Sequence, residues 1–200
     1  MNKTGLALML VLAAGPLFAA PAKKVPSVRD LIEASGAGNI TEISRLLKAG
    51  VSVNGRLTAA DNAMSPLSVA VMLGQVESVK ALLDAKANIN QTDALGDTPL
   101  HKSCFPPAGK DPAANAKAKM EIAKILLAAK AKVNLKDKEG WTPLMLAASA
   151  GNAGMVKLLL DAGADAAVRL SSGKSALALA QQGGHLEAAA MLVPKKAAKP

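Results

Sequence analysis

Four short motifs recur along this chain at one spacing, and that period constrains the fold more than any other feature. They are Ser65-Pro66-Leu67-Ser68, Thr98-Pro99-Leu100-His101, Thr142-Pro143-Leu144-Met145 and Ser175-Ala176-Leu177-Ala178, with first residues 33, 44 and 33 apart. Leucine-rich pairs keep the same frame at Leu46/Leu47, Leu82/Leu83, Leu126/Leu127, Leu159/Leu160 and Leu192/Val193. The interval of 44 is therefore one repeat of 33 that carries an insertion of 11. A fixed period of this length is the mark of stacked units, each burying its apolar face on a neighbour, with at least three needed for stability. The chain is half hydrophobic but only 2% aromatic, so Ala, Leu, Val and Met must build the core, which suits thin helices packed closely.

Each motif has its own folding mechanics. Proline at the first turn of a helix lacks only an amide hydrogen that would be unpaired there anyway. The Ser or Thr before it is a good N-cap, its hydroxyl accepting from a first-turn amide. In the second unit these rules predict an inner helix from Pro66 to about Leu73, a turn at Gly74-Gln75, and an outer helix from Val76 to Ala85. Outer helices end at Gly50 and Gly163, as a left-handed cap prefers, but Lys86 and Lys130 hold the equivalent slots. If that geometry is kept, a side chain there costs on the order of 1 kcal/mol.

The pattern resembles the ankyrin repeat family, whose unit is a β-turn finger followed by two antiparallel helices. The fourth unit carries the resemblance best: Asp137-Lys138-Glu139-Gly140-Trp141-Thr142-Pro143-Leu144, then Leu146-Ala147-Ala148, Gly151-Asn152, Val156-Lys157-Leu158-Leu159-Leu160 and Gly163-Ala164. The expectation is an all-α repeat solenoid over residues 28–193, in units 28–56, 61–93, 94–136, 137–169 and 170–193. The first unit lacks the Thr-Pro-Leu start and the fifth has Ala176 for the proline, as end units of a stack tend to differ.

The resemblance implies a protein-binding surface made of the residue before each Thr-Pro-Leu and of residues late in each inner helix. Here these are Met64, Asp97, Trp141 and Lys174 on the fingers, and Met72, Leu73, Phe105, Ser149, Gln181 and Gln182 on the helices. Trp141 is the first candidate anchor, because tryptophan is enriched at binding hot spots. The alternative for it is simple packing on a neighbouring finger.

Two departures break the frame. Three extra residues lie between Asn54 and Ser65, and the longer insertion spans about 105–119. Asp111 followed by Pro112 reads as an N-cap with proline at the first helical position, so the outer helix of the third unit starts there, runs to about Lys130 and protrudes two to three turns. Such an insertion is either neutral, since surface loops lengthen cheaply, or specific to a partner.

The flanks carry a different message. Residues 1–22 combine a short basic start, an apolar run from Gly5 to Ala20 and an Ala-rich end, which reads as a secretory signal peptide and gives a periplasmic or secreted address. A short basic linker, 23–27, follows it, and 194–200 reads as a basic, disordered tail. The apolar run is shorter than the roughly 20 residues a bilayer needs, so no stable membrane insertion is expected after cleavage. Of the formal charge of +9, Lys3 leaves with the leader and five of the remaining eight charges are Lys23, Lys24, Lys195, Lys196 and Lys199, so the repeats hold about +3. That modest charge, with no tyrosine and only Phe18, Phe105 and Trp141 as aromatics, argues against a nucleic-acid groove.

Catalysis finds little support. No His-x-x-x-His, paired cysteines, glycine-rich phosphate loop or Gly-x-Ser-x-Gly is present, and His101 and His185 stand where the repeat itself places histidine. No enzyme activity, cofactor or metal is expected, a site from His101, Cys104 and Asp97 being disfavoured. The single cysteine, Cys104, shares its frame with Val71 and Ala148 and reads as a small buried hydrophobe. The sequence thus points to a monomeric, non-enzymatic module that binds a partner protein outside the cytoplasm. Its alternatives are a stress- or redox-related accessory using Cys104, or an immunity or inhibitor protein for an exported enzyme.

Overall fold

The computed structural model describes residues 25–58, 62–106 and 111–193. The leader, the first two linker residues and the tail from Pro194 lie outside these, as do 59–61 in the first insertion and 107–110 in the second. Ten helices form five antiparallel pairs among the described residues: α1 (Val28–Ala37) with α2 (Ile40–Lys48), α3 (Pro66–Met72) with α4 (Val76–Asp84), α5 (Pro99–Cys104) with α6 (Pro112–Ala128), α7 (Pro143–Ser149) with α8 (Ala153–Asp161), and α9 (Ala176–Gln182) with α10 (Leu186–Leu192). Inner helices stack in the order α1, α3, α5, α7, α9, and outer helices in the order α2, α4, α6, α8, α10. The all-α solenoid is the architecture the period demands.

Local chemistry sets each helix start. The hydroxyls of Ser65, Thr98, Thr142 and Ser175 accept from the amides of Ser68, His101, Met145 and Ala178, each three residues on. Asn39, Asp111 and Asn152 cap outer helices with their side-chain oxygens. A continuous core follows from the leucines in frame: Leu31, Leu67, Leu100 and Leu144 of the inner helices and Leu46, Leu82, Leu126 and Leu159 of the outer ones are fully buried.

Two hydrogen-bond ladders tie neighbouring units together. In the loops after the outer helices, the side-chain oxygens of Asn54, Asn90 and Asn134 accept from the amides of Asn88, Lys132 and Asp165, at 2.7, 2.9 and 2.9 Å. At the fingers, Ala94 N–H donates to the Asn62 carbonyl and Lys138 N–H to the Leu95 carbonyl. Both ladders stop at the fourth unit. The next asparagine position is Ala167, which has no side-chain acceptor, and among the described residues no backbone bond joins the fourth finger to the fifth.

The long helix α6 differs from its sequence reading in one respect. It starts at Pro112 under the Asp111 cap, as expected, but its added turns do not project freely. Asn115 and Ala118 lie against the α3–α4 turn, where a Cβ on Gly74 would come within 2.8 Å of Asn115 Nδ2. Lys119 is 3% exposed, and its Nζ donates to the carbonyls of Phe105 and Pro106 at 3.3 and 3.2 Å, tying the helix to the chain that leaves α5. Burial pushes the Lys119 ammonium below its ordinary value.

Candidate partner-binding surface

The fingers are built around an aspartate that closes its own turn. In the fourth finger, Asp137 Oδ1 accepts from the amides of Glu139 and Trp141, while Asp137 N–H donates to the Trp141 carbonyl at 2.9 Å. The same carbonyl accepts from His101 Nε2 at 3.1 Å. His101 Nδ1 in turn accepts from the Thr98 amide, so the ring is neutral with its proton on Nε2. Burial holds His101 below its ordinary value, which favours this form. The backbone of Trp141 is thus fixed on three sides, while its side chain is half-buried and its indole N–H makes no hydrogen bond among the described residues.

In the fifth finger, Leu170 replaces that aspartate, and the hairpin closes by a bridge between Arg169 and Ser175. A cleft of ≈ 450 Å³ lies between the fourth and fifth units, beside the point where the finger ladder stops. Trp141, Leu170 and Leu179 form its apolar side, and Ser149, Ser172, Lys174 and Gln182 its polar side. Lys174 Nζ donates to Gln182 Oε1 at 2.8 Å across the rim. The structure therefore brings together Trp141, Ser149, Lys174 and Gln182, all named from the sequence.

The other sequence candidates fall elsewhere. Met64, Met72 and Phe105 are half-buried and Leu73 is 45% exposed, in the second and third units. Gly36 lets Leu73 and Val69 close against α1, since a Cβ there would meet both at about 3 Å. These positions make the other half of the face apolar, while the cleft half mixes apolar and polar side chains.

Asp97 requires a correction. It is 2% exposed and so unavailable to a partner. Lys102, itself 4% exposed, places its Nζ 2.7 Å from Asp97 Oδ2 and 2.6 Å from Asp93 Oδ2, with the Phe105 ring centred 4.9 Å away. Asp97 is pulled in because burying a lysine demands carboxylate partners. Gln181 is exposed on the last turn of α9 but does not line the cleft, whereas its neighbour Gln182 does, at the position equivalent to Ser149.

The redox reading of Cys104 loses its basis. The thiol is 2% exposed, donates to the Leu100 carbonyl at 3.3 Å, and is pushed up to about 12 by burial, so neither access nor thiolate is available. His185 is also structural, its Nε2 donating to the Ser149 carbonyl at 3.0 Å across the fourth and fifth units. Among the described residues, no helix is long and apolar enough to cross a membrane.

A family model described as ankyrin repeats (3 copies) matches residues 31–106 and 112–200. The chain belongs to the ankyrin repeat family. The break between the two matched segments of this ankyrin protein, residues 107–111, falls within the second insertion. No curated protein matches it. Ankyrin repeats are generally protein–protein interaction modules.

Proposed function

We propose that this chain is a non-enzymatic binding module that works in the periplasm or outside the cell and grips a partner protein with its concave face. The observation that carries the reading is the cleft between the fourth and fifth repeats, where a tryptophan with a rigid backbone and a half-buried ring stands beside polar side chains. Hot spots favour such preorganised aromatic anchors, which lose little conformational entropy on binding. The exported address is supported by the signal-like pattern of residues 1–22. An exported partner is the consequence.

Affinity capture from periplasmic or extracellular extract tests this, with wild type compared to a Trp141→Ala, Met72→Ala double variant. A partner held by wild type and lost by the variant is expected. Equal retention by both would move the contact surface off the concave face. Fractionation of a bacterial host making the full chain tests the address, and accumulation in the cytoplasm at full length would overturn it.

A further inference from the structure

We infer that the cleft between the fourth and fifth repeats is a docking site for a linear protein segment that presents an apolar side chain next to an aspartate or glutamate. This deepens the concave-face reading and rests on it. The apolar side of the cleft, formed by Trp141, Leu170 and Leu179, calls for an apolar side chain. Its rim is rich in donors. Lys174 is the one charged residue lining it, the Trp141 indole N–H makes no bond among the described residues, and the Ser149 and Ser172 hydroxyls stand alongside.

The acceptor of Gln182 is already taken by Lys174, and no carboxylate lines the cleft. A ligand carboxylate gives the Lys174 ammonium an anionic partner in place of that neutral acceptor, adding an ion pair to the hydrogen bond. The chain's own ends match the site poorly in charge, because Lys23, Lys24, Lys195, Lys196 and Lys199 make them basic. The geometry is held ready, because three hydrogen bonds fix the Trp141 backbone.

Selection of a displayed library of random peptides on the immobilised full-length protein tests the assignment without assuming a partner. The expected winners carry an aspartate or glutamate beside a large apolar residue. Their affinity should fall about thirtyfold with Trp141→Ala and about tenfold with Lys174→Glu, and stay unchanged with the exposed control Lys124→Glu on α6. Because Lys174 is exposed, its variant folds even where Trp141→Ala does not. Exchanging the peptide carboxylate for lysine should restore binding to Lys174→Glu.

Winners without the acidic–apolar pairing overturn the proposal. So do acidic peptides indifferent to Lys174→Glu, which would be held only by overall charge. Binding lost with Met72→Ala and Leu73→Ala, but not with the cleft variants, overturns the cleft and leaves the concave-face reading standing. Recovery of no peptide also overturns the cleft, while the wider reading then stands or falls on the capture experiment.

Discussion

Lys102 is a single positive charge facing two buried carboxylates, and the consequences for stability differ sharply among the three residues. Asp93 is well satisfied: Oδ1 accepts from the amides of Leu95 and Asp97 at 2.8 and 3.0 Å, and Oδ2 from Lys102 and from Asn62 Nδ2. Asp97 is not, since its Oδ1 is buried without a hydrogen-bond partner. Removing one member of a buried ion cluster leaves an uncompensated charge and costs about 3–5 kcal/mol. Lys102→Met should therefore lower the free energy of urea unfolding by about 3–5 kcal/mol. Asp97→Asn keeps an acceptor for Lys102 and removes the excess negative charge, so it should leave stability unchanged or raise it. Equal losses from both substitutions would show that Asp97 is a needed partner rather than a surplus carboxylate.

Helix ends carry the next prediction. Lys86 and Lys130 keep the left-handed cap at φ 65° and 67°, beside 85° and 86° at Gly50 and Gly163. The cap bonds are the same in both kinds, as in Ala87 N–H to the Leu82 carbonyl and Val51 N–H to the Leu46 carbonyl. Lys86→Gly and Lys130→Gly should each raise stability by about 1 kcal/mol in thermal or urea unfolding, by relieving a side chain from this conformation. A loss at either site would mean that the lysine stem contributes more by packing than its backbone costs. These ends were legible in the sequence because a cap depends on a few adjacent residues, and so was the start of α6 at Asp111-Pro112. What was not legible depends on partners distant in the chain. The α6 extension rests on Gly74, the asparagine ladder joins residues more than 30 apart, and Asp97 is buried only because the inner helix brings Lys102 beneath the finger. The cleft was half legible: its finger and helix positions follow the repeat frame, but Leu170, which lines it in place of an aspartate, carries no signal in the sequence that it borders a cavity.

Across the whole array, stability is the sum of unit and interface terms, so the weakest interface decides where the molecule opens first. The asparagine ladder joins the first four repeats and the finger ladder the second to the fourth, whereas the fifth is held by packing of α7 on α9 and of α8 on α10, with the His185 bond to Ser149. The outer helix of the fifth repeat has no side-chain cap, and Leu186 at its start is 82% exposed. Amides of α9 and α10 should therefore exchange with solvent deuterium through a partial opening, at lower free energy than those of α5, α7 and α8, which wait for global unfolding. Uniform protection along the array would show that helix packing alone makes the fourth interface as strong as the others. Because Lys174 and Gln182 belong to the fifth repeat and Trp141 to the fourth, a segment seated in the cleft bridges this interface. A bound segment should then slow exchange in α9 and α10 more than in any earlier helix, since a ligand stabilises only the states that can bind it. Protection gained instead in α3 to α5 would locate the contact on the apolar half of the face, around Met72, Leu73 and Phe105.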